Sequence, residues 1–147
     1  MILIAHRGNV NGKNSADENH PDYLMKAVNL GFDVEVDVWF LDQKFILGHD
    51  EPQYEVSLKF LLNKNFWHHA KNLPALYQLV SNKNKNLINC FSHDTDDAVL
   101  TSQGWIWTYP GKQLTPRSIA VMPERVPGWD LSNVAGICSD YLIDSSI

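Results

Sequence analysis

Short apolar segments separated by polar turns recur along the whole chain of 147 residues. Each segment has the length and the β-branched or aromatic content that is typical of a strand. The pattern predicts about eight strands, enough for a closed barrel. They lie at Ile2–Ala5, Val34–Phe40, Phe45–Leu47, Phe66–Ala70, Leu87–Phe91, Trp105–Tyr109, Ser118–Met122 and Val134–Cys138.

Apolar residues at helical spacing lie between several of these strands. They predict helices at His20–Leu30, Ser57–Leu62, Asn72–Ser81 and Asp96–Ser102. Pro21 and Pro74 fall in first turns, where proline is tolerated, and Ser57 suits a helix cap. The third helix has its apolar residues on one face, namely Leu73, Leu76, Tyr77 and Val80.

The alternation of strands and helices predicts an α/β protein with a largely parallel sheet. The expected architecture is a compact TIM-type (β/α)₈ barrel. Such barrels usually need at least ~200 residues, so several helices have to be reduced to loops. No linker or repeat divides the chain, which predicts a single domain over residues 1–147.

The second and third strands are too close together for a parallel crossover, so they predict a hairpin. With a loop at residues 42–44, Leu41 opposes Phe45 and Asp37 opposes His49. A slip of one residue would move His49 to the opposite face from Asp37. The chemistry described below favours the first register.

Composition and charge narrow the classes of function. The net charge is −5 and no basic stripe is present, which argues against nucleic acid as a partner. No apolar run is long enough to span a bilayer, and polar residues from His6 onward do not fit a signal peptide. Cys90 and Cys138 form no CxxC motif and are expected to be buried thiols in a reducing cytoplasm.

Two carboxylates interrupt the most apolar strand. Glu35 and Asp37 share one face by the period of two, while Val34, Val36 and Val38 share the other. Two buried carboxylates would repel each other strongly, and a divalent cation would relieve that repulsion. A surface strand with an acidic, solvent-facing side is an equally good interpretation of these residues alone.

The polar residues at the strand ends form a pattern in four parts. The parts are His6-Arg7-Gly8, Glu18-Asn19, Glu35-Val36-Asp37 and His49-Asp50. In order and spacing they resemble the glycerophosphodiester phosphodiesterase family, within the phospholipase C-like phosphodiesterase superfamily. The match covers residues 2–50, and the segment GICSDYL at 136–142 resembles the closing strand of the family. The chain would be an unusually short member.

This resemblance implies a divalent metal ion and a set of residue roles. Glu35 and Asp37 would be metal ligands, and His6 and His49 would share the transfer of protons. Arg7 and Lys71 would bind the phosphate group of the substrate.

The third metal ligand departs from the family pattern, because His69 stands where a carboxylate is expected. The family implies Mg²⁺ or Ca²⁺, whereas a histidine ligand favours Mn²⁺ or Zn²⁺. Two alternatives stay open: metal binding is weakened and activity lost, or another residue supplies the missing oxygen. The candidates for that oxygen are Glu18, Asp94, Glu124 and Asp140.

The expected function is metal-dependent hydrolysis of a small, glycerophosphodiester-like phosphodiester. The alternative is a catalytically inactive barrel that binds a phosphorylated or sugar ligand. A homodimer is also possible, since shortened helices leave apolar surface uncovered.

Several other polar and aromatic residues are interpreted structurally. His68 is expected to point outward from the barrel, and His93 is assigned to a polar loop. Trp105, Trp107 and Tyr109 alternate along one strand and are assigned to core packing.

Overall fold

A curled sheet of ten strands forms the body of the protein in the computed structural model, which describes residues 1–143. The strands are β1 (Ile2–His6), β2 (Asp33–Leu41), β3 (Lys44–Leu47), β4 (Tyr54–Val56), β5 (Phe66–Ala70), β6 (Asn89–Phe91), β7 (Ala98–Leu100), β8 (Ile106–Thr108), β9 (Ser118–Val121) and β10 (Gly136–Ser139). The α-helices are α1 (Pro21–Asn29), α2 (Leu58–Leu61) and α3 (Leu73–Ser81). Short 3₁₀ turns occupy Lys85–Leu87 and Pro123–Arg125.

Most of the sheet is parallel. Its parallel strands follow the spatial order β6-β5-β2-β1-β10-β9-β8. The second half of β2 continues into an antiparallel meander with β3 and β4, and β7 runs antiparallel to β8. The carboxyl ends of the parallel strands therefore lie at one edge, where α/β proteins commonly place binding sites.

The predicted (β/α)₈ barrel is wrong, because the sheet is a curled half-barrel and only 20% of the chain is helical. Helices α1 and α3 each join two parallel strands, but α2 has only four residues. No α-helix occurs among the described residues 92–143. A chain of 147 residues is too short to supply a helix for every strand of such a barrel.

Three local predictions are also wrong. The segment predicted as a helix at Asp96–Ser102 contains β7, and β4 was not predicted at all. Helix α3 follows Asn72, whose side chain accepts a hydrogen bond from the backbone N–H of Ala75. Its buried residues are Ala75 and Leu79, whereas three residues of the predicted apolar face are exposed, namely Leu73, Tyr77 and Val80.

The two faces of the sheet have different surroundings. On β2, Val34, Val36 and Val38 point to the outer face and pack in the core beneath the helices, as the alternation predicts. Glu35 and Asp37 point to the inner face, so they are buried and do not form an acidic surface. Deeper on the inner face lies an aromatic cluster with Trp67, Phe91 and Trp107 among its members. The inner face thus combines an apolar floor with a polar edge.

His68 is a structural residue on the outer face, as predicted. It is completely buried, with Nε2 at 2.7 Å from the carbonyl oxygen of Leu61 and Nδ1 at 3.2 Å from that of Asn89. Burial lowers the pKa of His68, although the two carbonyl groups act against this shift. The neutral ring has one N–H, and the shorter contact assigns it to Nε2.

The free energy of unfolding of the His68→Leu variant is expected to be about 2–4 kcal/mol lower than that of the wild type. The substitution removes the imidazole that contacts two carbonyl groups. One of these carbonyl groups is a buried acceptor and loses its hydrogen bond. Urea denaturation measures the loss. The exposed Tyr77→Leu substitution is the control and should change stability by less than about 0.5 kcal/mol. An equally small effect for His68→Leu would refute the structural role.

The helices of the described part, residues 1–143, include none that is long and apolar enough to cross a membrane.

Candidate functional site

The inner face of the sheet brings four of the predicted site residues together. His6 of β1 pairs with Glu35 of β2, and Asp37 of β2 pairs with His69 of β5. Residues paired across parallel strands project from the same face of a sheet. The polar edge of the inner face is therefore built from three adjacent strands.

Glu35, Asp37 and His69 form a compact group of potential metal ligands. One ligand atom from each residue lies within 4.8 Å of the others. His69 Nδ1 is 3.0 Å from Asp37 Oδ1 and 3.6 Å from Glu35 Oε1. Asp37 Oδ1 is buried and faces Nδ1 of His69. A buried carboxylate oxygen needs a hydrogen-bond donor or a positive charge beside it, which protonated His69 or a bound cation would supply.

These donors fit a divalent cation. Two carboxylates and one imidazole suit Mn²⁺ or Zn²⁺, whereas Mg²⁺ and Ca²⁺ prefer oxygen ligands alone. The carboxylates considered as a replacement for His69 lie outside the group, namely Glu18, Asp94, Glu124 and Asp140. Glu18 instead accepts hydrogen bonds from Arg7 and Asn9, and Glu124 accepts one from the hydroxyl of Ser139.

The charges of this group are strongly coupled. Burial raises the pKa of Asp37, but hydrogen bonds from His49 and His69 and the charge of Arg7 hold it well below its usual range. Burial lowers the pKa of His69, yet the neighbouring carboxylates of Asp37 and Glu35 raise it overall. Protonated His69 can therefore balance part of the negative charge. A proton and a cation compete for the same nitrogen lone pair.

His6 is oriented by a carboxylate from the far end of the chain. Its Nδ1 lies 2.8 Å from Asp140 Oδ1, and the pKa of Asp140 is lowered because His6 and Asn9 outweigh the effect of burial. An ionised carboxylate only accepts hydrogen bonds, so Nδ1 of His6 carries the proton. Nε2 lies 4.0 Å from Glu35 Oε2, too far for a hydrogen bond. Neutral His6 thus has a free basic nitrogen beside the potential metal ligands.

Arg7 holds several of the site residues in place. Its Nη1 lies 3.2 Å from Glu18 Oε2, Nη2 lies 3.1 Å from His49 Nε2, and Nε lies 3.3 Å from Asp37 Oδ2. Its backbone N–H donates to Glu35 Oε2 at 3.1 Å. Much of the guanidinium is therefore engaged by protein acceptors. The contact of Arg7 with phosphate stays a prediction.

His49 contacts the same carboxylate from the other side. Its Nδ1 lies 3.2 Å from Asp37 Oδ2, while its Nε2 faces the guanidinium of Arg7. Arginine can only donate, so Nε2 is the acceptor and Nδ1 carries the proton. The structure therefore gives His6 and His49 the same tautomer, with a carboxylate behind each ring.

The register of the hairpin formed by β2 and β3 differs from the predicted one. The turn has two residues, Asp42 and Gln43, both with positive φ, and Leu41 pairs with Lys44 rather than with Phe45. Such a two-residue turn matches the twist of the strands.

Asp37 consequently lies opposite Gly48, whose N–H donates to the Asp37 carbonyl oxygen at 3.2 Å. A turn at Gly48 then directs His49 back to Asp37. A Cβ atom at position 48 would collide with the carbonyl oxygen of Glu51.

Lys71 and an open pocket lie at the edge of the site. Lys71 directly follows β5, and its ammonium group forms no ion pair with the described residues. A pocket of about 440 Å³ lies beside Arg7 and His49 and also includes Lys13 and Arg125 in its wall. This pocket gives a small anionic molecule room to approach His49 and Arg7. Binding of phosphate by Lys71 stays a prediction.

The structure assigns a supporting role to Asn19 that the sequence did not reveal. Its side-chain N–H donates to Asp37 Oδ2, and its Oδ1 accepts from the Asp37 backbone N–H, both at 2.9 Å. Asn19 has a φ of 63°, a conformation that asparagine tolerates better than most residues. Its place in the Glu18-Asn19 motif was the sole signal. No local feature of the sequence indicated the hydrogen-bond network that includes Asn9 and Asp140.

No protein-family model, curated protein or solved structure matches the chain. The resemblance to the phosphodiesterase family therefore rests on the residues of the motifs themselves.

Proposed function

We propose that the protein is a divalent-metal-dependent phosphodiesterase that acts on a small, glycerophosphodiester-like substrate. The observation that supports this most strongly is the placement of His6 and His49 on either side of the group formed by Glu35, Asp37 and His69. Each histidine has a protonated nitrogen that faces a carboxylate. Two oriented imidazoles suit the removal and the delivery of a proton near neutral pH.

His6 is the better candidate for the base, because Asp140 fixes its ring and Nε2 has no hydrogen-bond partner. It would take a proton from the nucleophile, which is water or a neighbouring hydroxyl of the substrate. The nucleophile oxygen forms a bond to phosphorus as the bond to the leaving oxygen breaks. His49 would deliver a proton to the leaving alkoxide from Nε2, which must first take up that proton and exchange its contact with Arg7 for one with the substrate. A bound divalent cation would offset negative charge on the phosphoryl oxygens.

One observation favours the alternative of a ligand-binding protein without catalytic activity. His69 can balance the charge of Asp37 and Glu35 as an imidazolium, so the fold has no need of a metal ion at this position. Such a protein would bind a phosphorylated or sugar ligand in the pocket beside Arg7.

A hydrolysis assay separates the two functions. Purified protein is incubated with bis-nitrophenyl phosphate and Mg²⁺, Ca²⁺, Mn²⁺ or Zn²⁺ in turn, and release of nitrophenolate is followed. We expect turnover that depends on the added cation, with Mn²⁺ or Zn²⁺ more effective than Ca²⁺. Absence of turnover with every cation between about pH 5 and pH 9 would refute the enzyme and favour the binding protein.

Location and partners belong to the same proposal. Cys90 and Cys138 are free and buried, which supports a cytoplasmic protein. The proposed partner is the small phosphodiester itself. The possible homodimer stays a prediction, and the exposed Leu73, Tyr77 and Val80 of α3 are apolar surface compatible with it.

A further inference from the structure

Two side chains beside the site carry buried polar atoms with no hydrogen-bond partner. They are Nδ1 of His93 and the hydroxyl oxygen of Tyr109. Their rings pack against each other with centroids 4.2 Å apart. The sequence assigned His93 to a polar loop and Tyr109 to the core, and neither assignment accounts for these unpaired atoms. An unpaired buried hydroxyl or imidazole nitrogen destabilises a fold, so native proteins contain few of them.

His93 lies close to both His69 and Lys71. His69 pairs with Phe91 in the parallel register of β5 and β6, and Lys71 and His93 each follow two residues beyond this pair. The rings of His69 and His93 have centroids 5.0 Å apart. Burial lowers the pKa of His93, and the positive charges of His69 and Lys71 lower it further. Lys71 and His93 are thus neighbours at the edge of the site.

Tyr109 reaches the same place from the other side of the curled sheet. It lies two residues beyond Trp107, whose ring has its centroid 4.5 Å from that of Phe91. Burial raises the pKa of Tyr109, and the negative charges of Glu35 and Asp37 act in the same direction. The ring of Tyr109 also packs against that of His93, which places the phenol beside the same group of residues.

The chemistry of these three groups suits an anion. Lys71 offers an ammonium group that forms no ion pair within residues 1–143, and Tyr109 offers a hydroxyl donor. His93 can donate from Nδ1 in one tautomer. Arg7, the other cation at the site, already donates hydrogen bonds to Glu18 and His49. A phosphoryl group bound here would need further donors, and this side of the site supplies them.

We propose that His93 and Tyr109 add two further phosphoryl-oxygen donors to the phosphate contact already predicted for Lys71, on the β5–β6 side of the potential metal ligands. Both His93 and Tyr109 are only partly buried as whole residues, so part of each side chain is accessible to a ligand. The subsite rests on the proposed function for its role in hydrolysis, but binding of a phosphodiester to it requires no turnover. His93 and Tyr109 are substrate-binding residues in this proposal.

The test uses dimethyl phosphate, an inert phosphodiester, and the Mn²⁺-loaded full chain. Broadening of the phosphorus NMR signal by bound Mn²⁺ measures the dissociation constant. Tyr109→Phe and His93→Phe remove the polar atoms and keep the rings. Each is expected to weaken binding about tenfold, as the loss of a hydrogen bond to a charged group does. Tyr77→Phe removes an exposed hydroxyl from the outer face and should leave binding unchanged.

Affinity for Mn²⁺ alone separates a direct contact from an indirect one. We expect Tyr109→Phe and His93→Phe to bind Mn²⁺ within about twofold of the wild type. A parallel loss of Mn²⁺ affinity would show an effect through His69 and would overturn the subsite. Unchanged binding of dimethyl phosphate by both variants would overturn it as well, as would absence of binding by the wild type. If either Phe variant fails to fold, the corresponding leucine variant, His93→Leu or Tyr109→Leu, provides the same comparison.

The outcome is independent of the hydrolysis assay. A protein that binds dimethyl phosphate through these residues but hydrolyses no phosphodiester retains the subsite and loses the proposed enzyme activity. A protein that hydrolyses phosphodiesters with full dimethyl phosphate affinity in both variants retains the activity and loses the subsite.

Discussion

The Asp37→Asn variant is expected to lose Mn²⁺ affinity by at least about a hundredfold and hydrolysis of bis-nitrophenyl phosphate by about a thousandfold. Asp37 supplies a buried carboxylate oxygen that faces His69, and its other oxygen contacts both His49 and Arg7. An amide has the same shape but no charge, so it cannot hold a divalent cation beside Glu35 in the same way. Calorimetric titration with Mn²⁺ and the nitrophenolate assay measure the two losses.

The exposed Asp42→Asn substitution is the matched control. Asp42 lies in the two-residue turn at positive φ, which asparagine also favours, so fold, metal affinity and activity should all be retained. Urea denaturation of both variants shows whether Asp37→Asn acts through stability alone. Mn²⁺ binding of wild-type strength by a folded Asp37→Asn protein would refute the ligand assignment.

The His6→Asn variant is expected to lose about a thousandfold in the rate of hydrolysis while it binds Mn²⁺ as tightly as the wild type. His6 lies outside the group of metal ligands, and its Nε2 is free to take a proton. Asparagine keeps a polar group near Asp140 but has no basic nitrogen. Asp140→Asn should lose less, about ten- to a hundredfold, because it disturbs only the orientation and tautomer of the ring.

His20→Asn is the control for this prediction. His20 caps α1 through a hydrogen bond from the N–H of Asp22, and asparagine is a good cap, so stability and activity should change little. Retention of more than about a tenth of the activity by His6→Asn would refute its role as the base.

The strand pattern could be predicted because burial imposes a period of two. The alternation from Val34 to Val38 predicts that the three valines share one face of β2 and that Glu35 and Asp37 share the other, and the structure confirms this. The predictions from the sequence were wrong where contacts with other elements determine the local structure. The segment at Ala98–Leu100 is only three residues long and becomes a strand because it pairs with β8. Pairing with the neighbouring strand overrides weak local helix signals.

Helix α3 shows a second limit of the sequence pattern. Its large apolar residues Leu73, Tyr77 and Val80 face outward, and the small Ala75 faces the sheet with Leu79. Hydrophobic spacing identifies a helix but does not say which face has room to approach the sheet. Close packing of helix on sheet favours a small side chain at the contact.

The site could be predicted only in so far as its residues lie in short motifs at strand ends. Parallel strands return to one edge, so His6, Glu35 and Asp37 could be placed together from the sequence. The hairpin register could not, because it depends on whether the turn has two or three residues. The contact between His6 and Asp140 joins positions 134 residues apart, and nothing local in the sequence indicates it.

The most direct test of the metal site is pulsed electron paramagnetic resonance of the Mn²⁺-loaded protein. We expect one Mn²⁺ ion per chain, with hyperfine coupling to a histidine nitrogen that disappears in His69→Gln. Absence of bound Mn²⁺ in the wild type, or nitrogen coupling that persists in His69→Gln, would contradict the assignment of Glu35, Asp37 and His69 as the metal site.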